Sequence, residues 1–261
     1  MAIRFTNRPG LVAYITCGDP DLDTSLDVAL AAIRAGADVI ELGVPFSDPV
    51  ADGPVIQRAS ERALKHGTTL QGVLDLARQI RAQSDAGLVI FSYLNPVLQF
   101  GLEKFCTAAA EAGIDGVLVT DLPVEESAEY LGAMKAHTLA PIFLAAPTST
   151  DERLRQIAKH SRGFVYAISR TGITGARQEL TGDARSLVER LRNYTKLPIA
   201  VGFGVSTPEQ FAEVGSFADA AVVGSAIVQR IEQSPGKEAA TVAEFLSSLT
   251  ATARHAAVSQ R

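Results

Sequence analysis

Ala35-Gly-Ala-Asp-Val-Ile-Glu-Leu-Gly-Val-Pro-Phe-Ser-Asp48 reads as a helix end, a tight turn, a buried strand and the loop that leaves it. Gly36 follows the Ala- and Leu-rich stretch Ser25–Ala35, where a glycine C-cap is expected. Val-Ile-Glu-Leu is a short apolar run of the kind found in parallel strands covered on both faces. The same grammar returns in Ala112-Gly-Ile-Asp-Gly-Val-Leu-Val119 and, more loosely, in Phe217-Ala-Asp-Ala-Ala-Val-Val223. The irregular spacing of the three copies excludes a solenoid.

Working outward from this unit, strands are expected at Leu11–Thr16, Asp38–Leu42, Leu88–Tyr93, Gly116–Thr120, Pro141–Ala145, Gly163–Ile168, Pro198–Val201 and Asp219–Val223. Helices are expected between them at Ser25–Ala35, Val55–Lys65, Leu70–Gln83, Leu102–Ala112, Glu125–Ala136, Asp151–His160, Arg185–Asn193 and Pro208–Val214. Two more, Ala226–Glu232 and Glu238–Ala256, close the chain. Alternating strands and helices leave an open doubly wound sheet or a closed barrel. No Gly-x-Gly-x-x-Gly follows the first strand, against a dinucleotide-binding sheet. A count of eight without a long linker favours a (β/α)8 TIM barrel of the α/β class. It is expected as one domain over residues 1–261, with extra short helices after the second and eighth strands.

Composition agrees. The chain has 261 residues, 47% hydrophobic and 20% charged, which excludes a disordered chain. Net charge is −5 from 24 basic and 29 acidic residues, scattered rather than striped, so no nucleic-acid surface offers itself. No apolar run is long enough to span a membrane, and Met1–Pro9 has no apolar core of a signal peptide. Cys17 and Cys106 are then expected to be free thiols of a cytoplasmic protein. The four histidines are scattered, and no Cys/His cluster has zinc spacing.

In a barrel, chemistry sits at the C-terminal strand ends. If Ile40 and Leu42 face the helices, alternation turns Val39 and Glu41 inward. A carboxylate there is desolvated and its pKa rises, which suits a group that gives and takes a proton. A structural ion pair would also place it there. Asp48 and Asp52 lie in the loop beyond, where turn or capping chemistry explains them equally well. Asp19 and Asp121 occupy matching places after the first and fourth strands, with loop-shaping or supporting hydrogen bonds as their expected work.

Three glycine-rich loops cluster late in the chain: Ser169-Arg-Thr-Gly-Ile-Thr-Gly175, Gly202-Phe-Gly-Val-Ser206 and Gly224-Ser-Ala226. Glycines admit an anion to backbone N–H groups, and loops after the seventh and eighth strands are the usual phosphate site of this fold. None of the six lysines lies in a strand or the loop just after one, which leaves a Schiff-base aldolase without its lysine. Tyr14, Phe91, Tyr93, Leu118, Tyr166 and Phe203 recur near the strand ends. Singly each is core; together they suit a flat aromatic ligand beside a phosphate. Carboxylate acid–base chemistry on a small phosphorylated molecule remains.

Glu41-Leu-Gly-Val-Pro-Phe-Ser-Asp-Pro-Val-Ala-Asp-Gly-Pro-Val-Ile-Gln57 resembles the signature of the tryptophan synthase α-subunit family nearly throughout. Ile15-Thr-Cys-Gly-Asp-Pro20, Ser92-Tyr-Leu-Asn-Pro96, Asp121-Leu-Pro123, Val201-Gly-Phe-Gly-Val205 and Val223-Gly-Ser225 extend the resemblance in order along the whole chain. The resemblance implies reversible retro-aldol cleavage of indole-3-glycerol phosphate to indole and glyceraldehyde 3-phosphate. It implies that Glu41 takes the proton of the glycerol hydroxyl and helps protonate indole C3. Asp52 accepts the indole N–H, and Tyr166 joins them in the active site. Gly175, Gly204, Gly224 and Ser225 match positions toward the phosphate, and Thr174 a substrate-binding position; Tyr14, Phe91, Leu118 and Phe203 match the indole-facing wall. The resemblance also implies a β subunit that carries pyridoxal phosphate, an α2β2 assembly, no cofactor or metal in this chain, and loops that move after the second and sixth strands. A stand-alone indole-3-glycerol phosphate lyase, or a barrel subunit that lost the chemistry, keeps the same fold. Indole-3-glycerol phosphate synthase relies on strand-end lysines that this chain lacks. Family members usually begin with a helix before the first strand. Here about ten residues with Pro9-Gly10 precede it, so the barrel base is expected to be less well covered.

Overall fold

The computed structural model describes residues 3–168, 177–202 and 204–258. Among these, nine parallel strand segments alternate with eleven α-helices. The first half runs β1 (Gly10–Thr16), α1 (Leu22–Arg34), β2 (Val39–Gly43), α2 (Pro54–Lys65), α3 (Leu70–Arg81), β3 (Gly87–Ser92), α4 (Leu94–Phe100), α5 (Leu102–Glu111) and β4 (Gly116–Val119). A 3-10 turn at Val124–Glu126 leads into α6 (Ala128–Ala136), β5 (Ala140–Ile142), β6 (Leu144–Ala145), α7 (Asp151–His160) and β7 (Val165–Ile168). The chain ends with α8 (Arg177–Arg192), β8 (Ile199–Gly202), α9 (Pro208–Gly215), β9 (Ala220–Val223), α10 (Ser225–Gln233) and α11 (Glu238–Val258).

The sheet order is β5-β4-β3-β2-β1-β9-β8-β7-β6. Its two ends are consecutive in the chain, separated only by Phe143, so the sheet closes on itself. The fifth expected strand is therefore one strand in two pieces: Ala140–Ile142 pairs with β4, and Leu144–Ala145 pairs with β7. The in–out alternation survives the break, with Ile142 and Leu144 in the inner cluster and Phe143 in the outer one. The eight-stranded barrel expected from the sequence is the fold.

Alternation fills the two layers as their periodicity requires. Val12, Val39, Val89, Leu118, Ile142, Ala200, Ala220 and Val222 fill the interior, while Leu11, Ile40, Leu42, Leu88 and Ile90 pack beneath the helices. In register, Tyr14 on β1 and Val89 on β3 flank Glu41 on β2, which puts Glu41 among the inward-facing residues.

The three-fold repeat has a physical meaning at the barrel base. Asp38, Asp115 and Asp219 each precede a strand and accept the N–H of a residue on the adjacent strand: Leu11 at 3.0 Å, Leu88 at 3.0 Å and Ile199 at 2.8 Å. Each aspartate is held in turn, Asp38 by the Thr6 N–H and hydroxyl, Asp115 by Arg81 and Asp219 by Arg192. The residues before β1 cover part of the base: Ile3 is buried, and the Phe5 ring meets Phe164 edge-on at 5.9 Å.

Some element boundaries differ from the sequence expectation. α1 starts at Leu22 because Asp21 caps it, its carboxylate accepting the Thr24 N–H. The expected helix Glu125–Ala136 is a 3-10 turn followed by α6. α8 begins eight residues before Arg185. α4 was not expected; Pro96 in its first turn hides it, although a proline there removes no helix hydrogen bond.

Candidate active site

The carboxyl end of the barrel holds a cavity of about 470 Å³. Tyr14, Phe91, Leu144, Tyr166, Ile168 and Val222 form its apolar wall; Asp52, Gly53 and Val55 border it on one side and Gly202, Gly204, Gly224 and Ser225 on the other. Hollows of about 800 and 680 Å³ on the flank and the base are larger, but exposed charges such as Glu152 and Lys135 border them.

Glu41 lies in the wall of the barrel, fully buried, and neither carboxylate oxygen has a hydrogen-bond partner among the described residues. Burial without a compensating charge pushes its pKa to about 8. The phenols of Tyr14 and Tyr166 are raised well above their ordinary range, first by burial and further by the charges of Glu41 and Asp52. Both phenols therefore lie within electrostatic reach of the two carboxylates.

Asp52 is partly buried and its pKa rises to about 6, from burial opposed by a hydrogen bond from Tyr93. That bond is well defined: the Tyr93 hydroxyl accepts the Ala51 N–H at 2.9 Å and donates to Asp52 Oδ2 at 3.1 Å. Gln57 Nε2 donates to the Asp52 carbonyl at 2.8 Å, so the first turn of α2 holds the same residue from the other side. Tyr93 was seen in the sequence only as one aromatic among several, because its hydroxyl acts 41 residues away from its own position.

Two glycines are required by the tyrosines. A Cβ on Gly43 would lie 2.4 Å from the Tyr14 hydroxyl, and one on Gly202 would lie 2.7 Å from that of Tyr166. At the opposite end, Gly224 is the N-cap of α10 and offers no side-chain cap; its carbonyl takes the Ile227 N–H at 2.8 Å, and among the described residues the Ser225 and Ala226 N–H groups are left for another acceptor. Gly204 has a φ of +78°, a conformation that favours glycine.

A family model described as tryptophan synthase alpha chain matches residues 1–257. The chain belongs to the tryptophan synthase alpha chain family. The tryptophan synthase alpha chain of Solibacter usitatus is 56% identical over 227 residues, covering 87% of this chain and 85% of that one. The alpha chain of Geobacter sulfurreducens is 47% identical, covering 95% and 94%. Among solved structures, tryptophan synthase from Mycobacterium tuberculosis superposes with a TM-score of 0.87 at 38% identity, covering 95% of this chain and 93% of that one. The alpha subunit from Legionella pneumophila gives 0.87 at 35% identity, covering 95% and 93%.

Of the positions singled out from the tryptophan synthase alpha resemblance, Tyr14, Asp52, Phe91, Tyr166, Gly204, Gly224 and Ser225 border the cavity together. Glu41 and Leu118 lie in the barrel interior and do not line it; both are fully buried. Thr174, Gly175 and Phe203 lie outside the described residues. Asp48 is on the exposed loop bordering a separate shallow hollow. Asp121 accepts the Leu94 N–H at 2.7 Å and so anchors α4, and Asp19 is ion-paired with Arg62. No cluster of His, Cys, Asp and Glu among the described residues could hold a metal ion. No helix there is long and apolar enough to cross a membrane.

Proposed function

We propose that this cavity cleaves indole-3-glycerol phosphate, with Glu41 moving the proton and Asp52 holding the charge. Family membership makes the chain a lyase of tryptophan biosynthesis, acting on indole-3-glycerol phosphate and releasing indole and glyceraldehyde 3-phosphate. The observation that carries the assignment of residues is Glu41, a fully buried carboxyl group with no hydrogen-bond partner among the described residues, paired in register with Tyr14 of the cavity wall.

A pKa near 8 leaves Glu41 mostly protonated at neutral pH. It donates its proton to indole C3, and the ring becomes an indoleninium cation. Asp52, still ionised above pH 6, accepts the ring N–H and stabilises that cation. Glu41, now a carboxylate, takes the proton of the adjacent glycerol hydroxyl. The O–H electrons form the aldehyde, the C3–carbon bond breaks, and its electrons return to the ring as neutral indole. Glu41 ends protonated, and the net change is a proton moved from oxygen to carbon. In this reading Tyr166 and Tyr14, which border the cavity, lie beside the reacting atoms, Phe91, Leu118 and Phe203 serve the indole side, and the N-terminus of α10 with Gly204, Gly224 and Ser225 takes the phosphate; Thr174 and Gly175 are assigned to the substrate by the family resemblance alone.

The chain needs no cofactor for this step. Indole passes to a β subunit that carries pyridoxal phosphate, in an α2β2 assembly within the cytoplasm. Indole release by the purified chain, with and without a tryptophan synthase β subunit, tests the reading. Slow release that rises strongly with β supports it. Fast release indifferent to β indicates a free-standing lyase, and no release in either case indicates a barrel that has lost its chemistry.

A further inference from the structure

We infer that Arg62 and Glu232 are positioning residues for this reaction, fixing the helix that follows Asp52 against the helix at the phosphate end of the cavity. The inference rests on the reading proposed above and deepens it. α2 starts just after Asp52 and α10 starts at Ser225; both have glycine N-caps, Gly53 and Gly224, without a side-chain cap. Both N-termini border the same cavity. A substrate that reaches from Asp52 to α10 therefore fits only if the two helices keep a fixed relation, although the contact between them joins residues 174 apart in the chain.

An apolar cluster of Tyr14, Ala59 and Val228 brings the helices together. Such contact is non-directional and does not fix tilt. The directional part is ionic. Arg62 grips both oxygens of Asp19 at 2.8 Å each, and its remaining nitrogen reaches Glu232 at 2.7 Å. Arg58 takes both oxygens of Glu232 at 3.1 and 2.9 Å. Paired N–H···O contacts of this kind fix orientation as well as distance. The Asp19 side chain is 2% exposed and follows β1, so it ties the network to the barrel itself. A lone exposed ion pair would do little. Here, removing Arg62 strands a buried carboxylate, and the network has a single arginine bridging barrel, α2 and α10. At the other end of α2, the Gln57 bond to the Asp52 carbonyl passes any tilt of the helix straight to Asp52.

The network therefore matters to a ligand that spans both ends and not to one held at the α10 end alone. Misplacement by about 1 Å in such a site can cost roughly a hundredfold in rate. The test compares wild type, Glu232→Ala, Glu232→Gln, Arg62→Met and the double variant Arg62→Met/Glu232→Ala. It measures kcat and KM for indole-3-glycerol phosphate, the Kd of glyceraldehyde 3-phosphate, and thermal unfolding. Glu232→Ala is expected to lower kcat about tenfold, and Glu232→Gln, which keeps one acceptor oxygen, by less. The Kd of glyceraldehyde 3-phosphate should stay within twofold, and the double variant should be no slower than Arg62→Met. If Arg62→Met does not fold, the Glu232 pair decides alone. A kcat for Glu232→Ala within twofold of wild type, or a Kd that weakens in step with kcat, overturns the inference. Inactive wild type overturns the proposed function and this inference with it, whereas active wild type with unaffected variants overturns only the inference.

Discussion

Glu41→Gln should make the protein more stable, and increasingly so as pH rises above 4.5. Glu41 is fully buried with neither oxygen hydrogen-bonded among the described residues, so the folded state favours the protonated form, and the pKa rises from 4.5 to about 8. Between those values the folded chain keeps a proton that the unfolded chain has released. The stability Glu41 allows is thus fully present below pH 4.5 and is lost as pH rises through about 8. At ~1.4 kcal/mol per pKa unit, the loss is roughly 3 kcal/mol by pH 7 and roughly 5 kcal/mol above pH 8. Glutamine has nearly the same shape and does not titrate. Urea unfolding of wild type and Glu41→Gln at pH 5, 7 and 9 isolates the effect, because every other titrating group is common to both. The variant's advantage over wild type should grow by several kcal/mol from pH 5 to pH 9. Parallel stability curves across that range would refute the reasoning, since they would mean that the Glu41 carboxyl titrates as an exposed one does.

Three more outcomes are expected. The value of kcat/KM should follow a bell, rising through about pH 6 as Asp52 ionises and falling through about pH 8 as Glu41 loses its proton; a monotonic rise past pH 9 would reverse the role given to Glu41. Tyr93→Phe removes the hydrogen bond that lowers the Asp52 pKa, so the acid limb should move to higher pH; an unmoved limb would assign it to the phosphate of the substrate instead. Thr138 sits at φ +59°, the place that Gly36 and Gly113 take after the helices that precede β2 and β4, so Thr138→Gly should stabilise by about 0.5–1 kcal/mol, read as a higher Tm; a lower Tm would count against strain there.

Much of this was legible before the structure. Two-residue alternation along Val39-Ile-Glu-Leu42 was enough to turn Glu41 inward, because a strand covered by helices on one side and a barrel core on the other leaves a side chain only two directions. Glycine after an Ala-rich run located α1 and α5, although Thr138 performs the same turn without a glycine and left no such mark. What stayed hidden depends on distance rather than on pattern. The hydroxyl of Tyr93 on Asp52, and the grip of Arg62 on Asp19 43 residues away, join parts of the chain that only closure of the barrel brings together. Leu118 turns into the barrel as alternation predicts, but alternation gives the direction of a side chain and not its depth along the axis, and Leu118 does not line the cavity. The repeat of Asp38, Asp115 and Asp219 is visible as a recurring local motif; that each aspartate closes the foot of an adjacent strand needed the register.

The central claim is that Glu41 carries the proton and Asp52 the charge. Single-turnover cleavage of indole-3-glycerol phosphate at pH 7, compared for wild type, Glu41→Gln and Asp52→Asn, tests it most directly. Loss of indole release in Glu41→Gln and a fall of at least about a hundredfold in Asp52→Asn are expected, since one positioned charge-stabilising group is typically worth a few kcal/mol. Rates within a few fold of wild type in either folded variant would contradict the account.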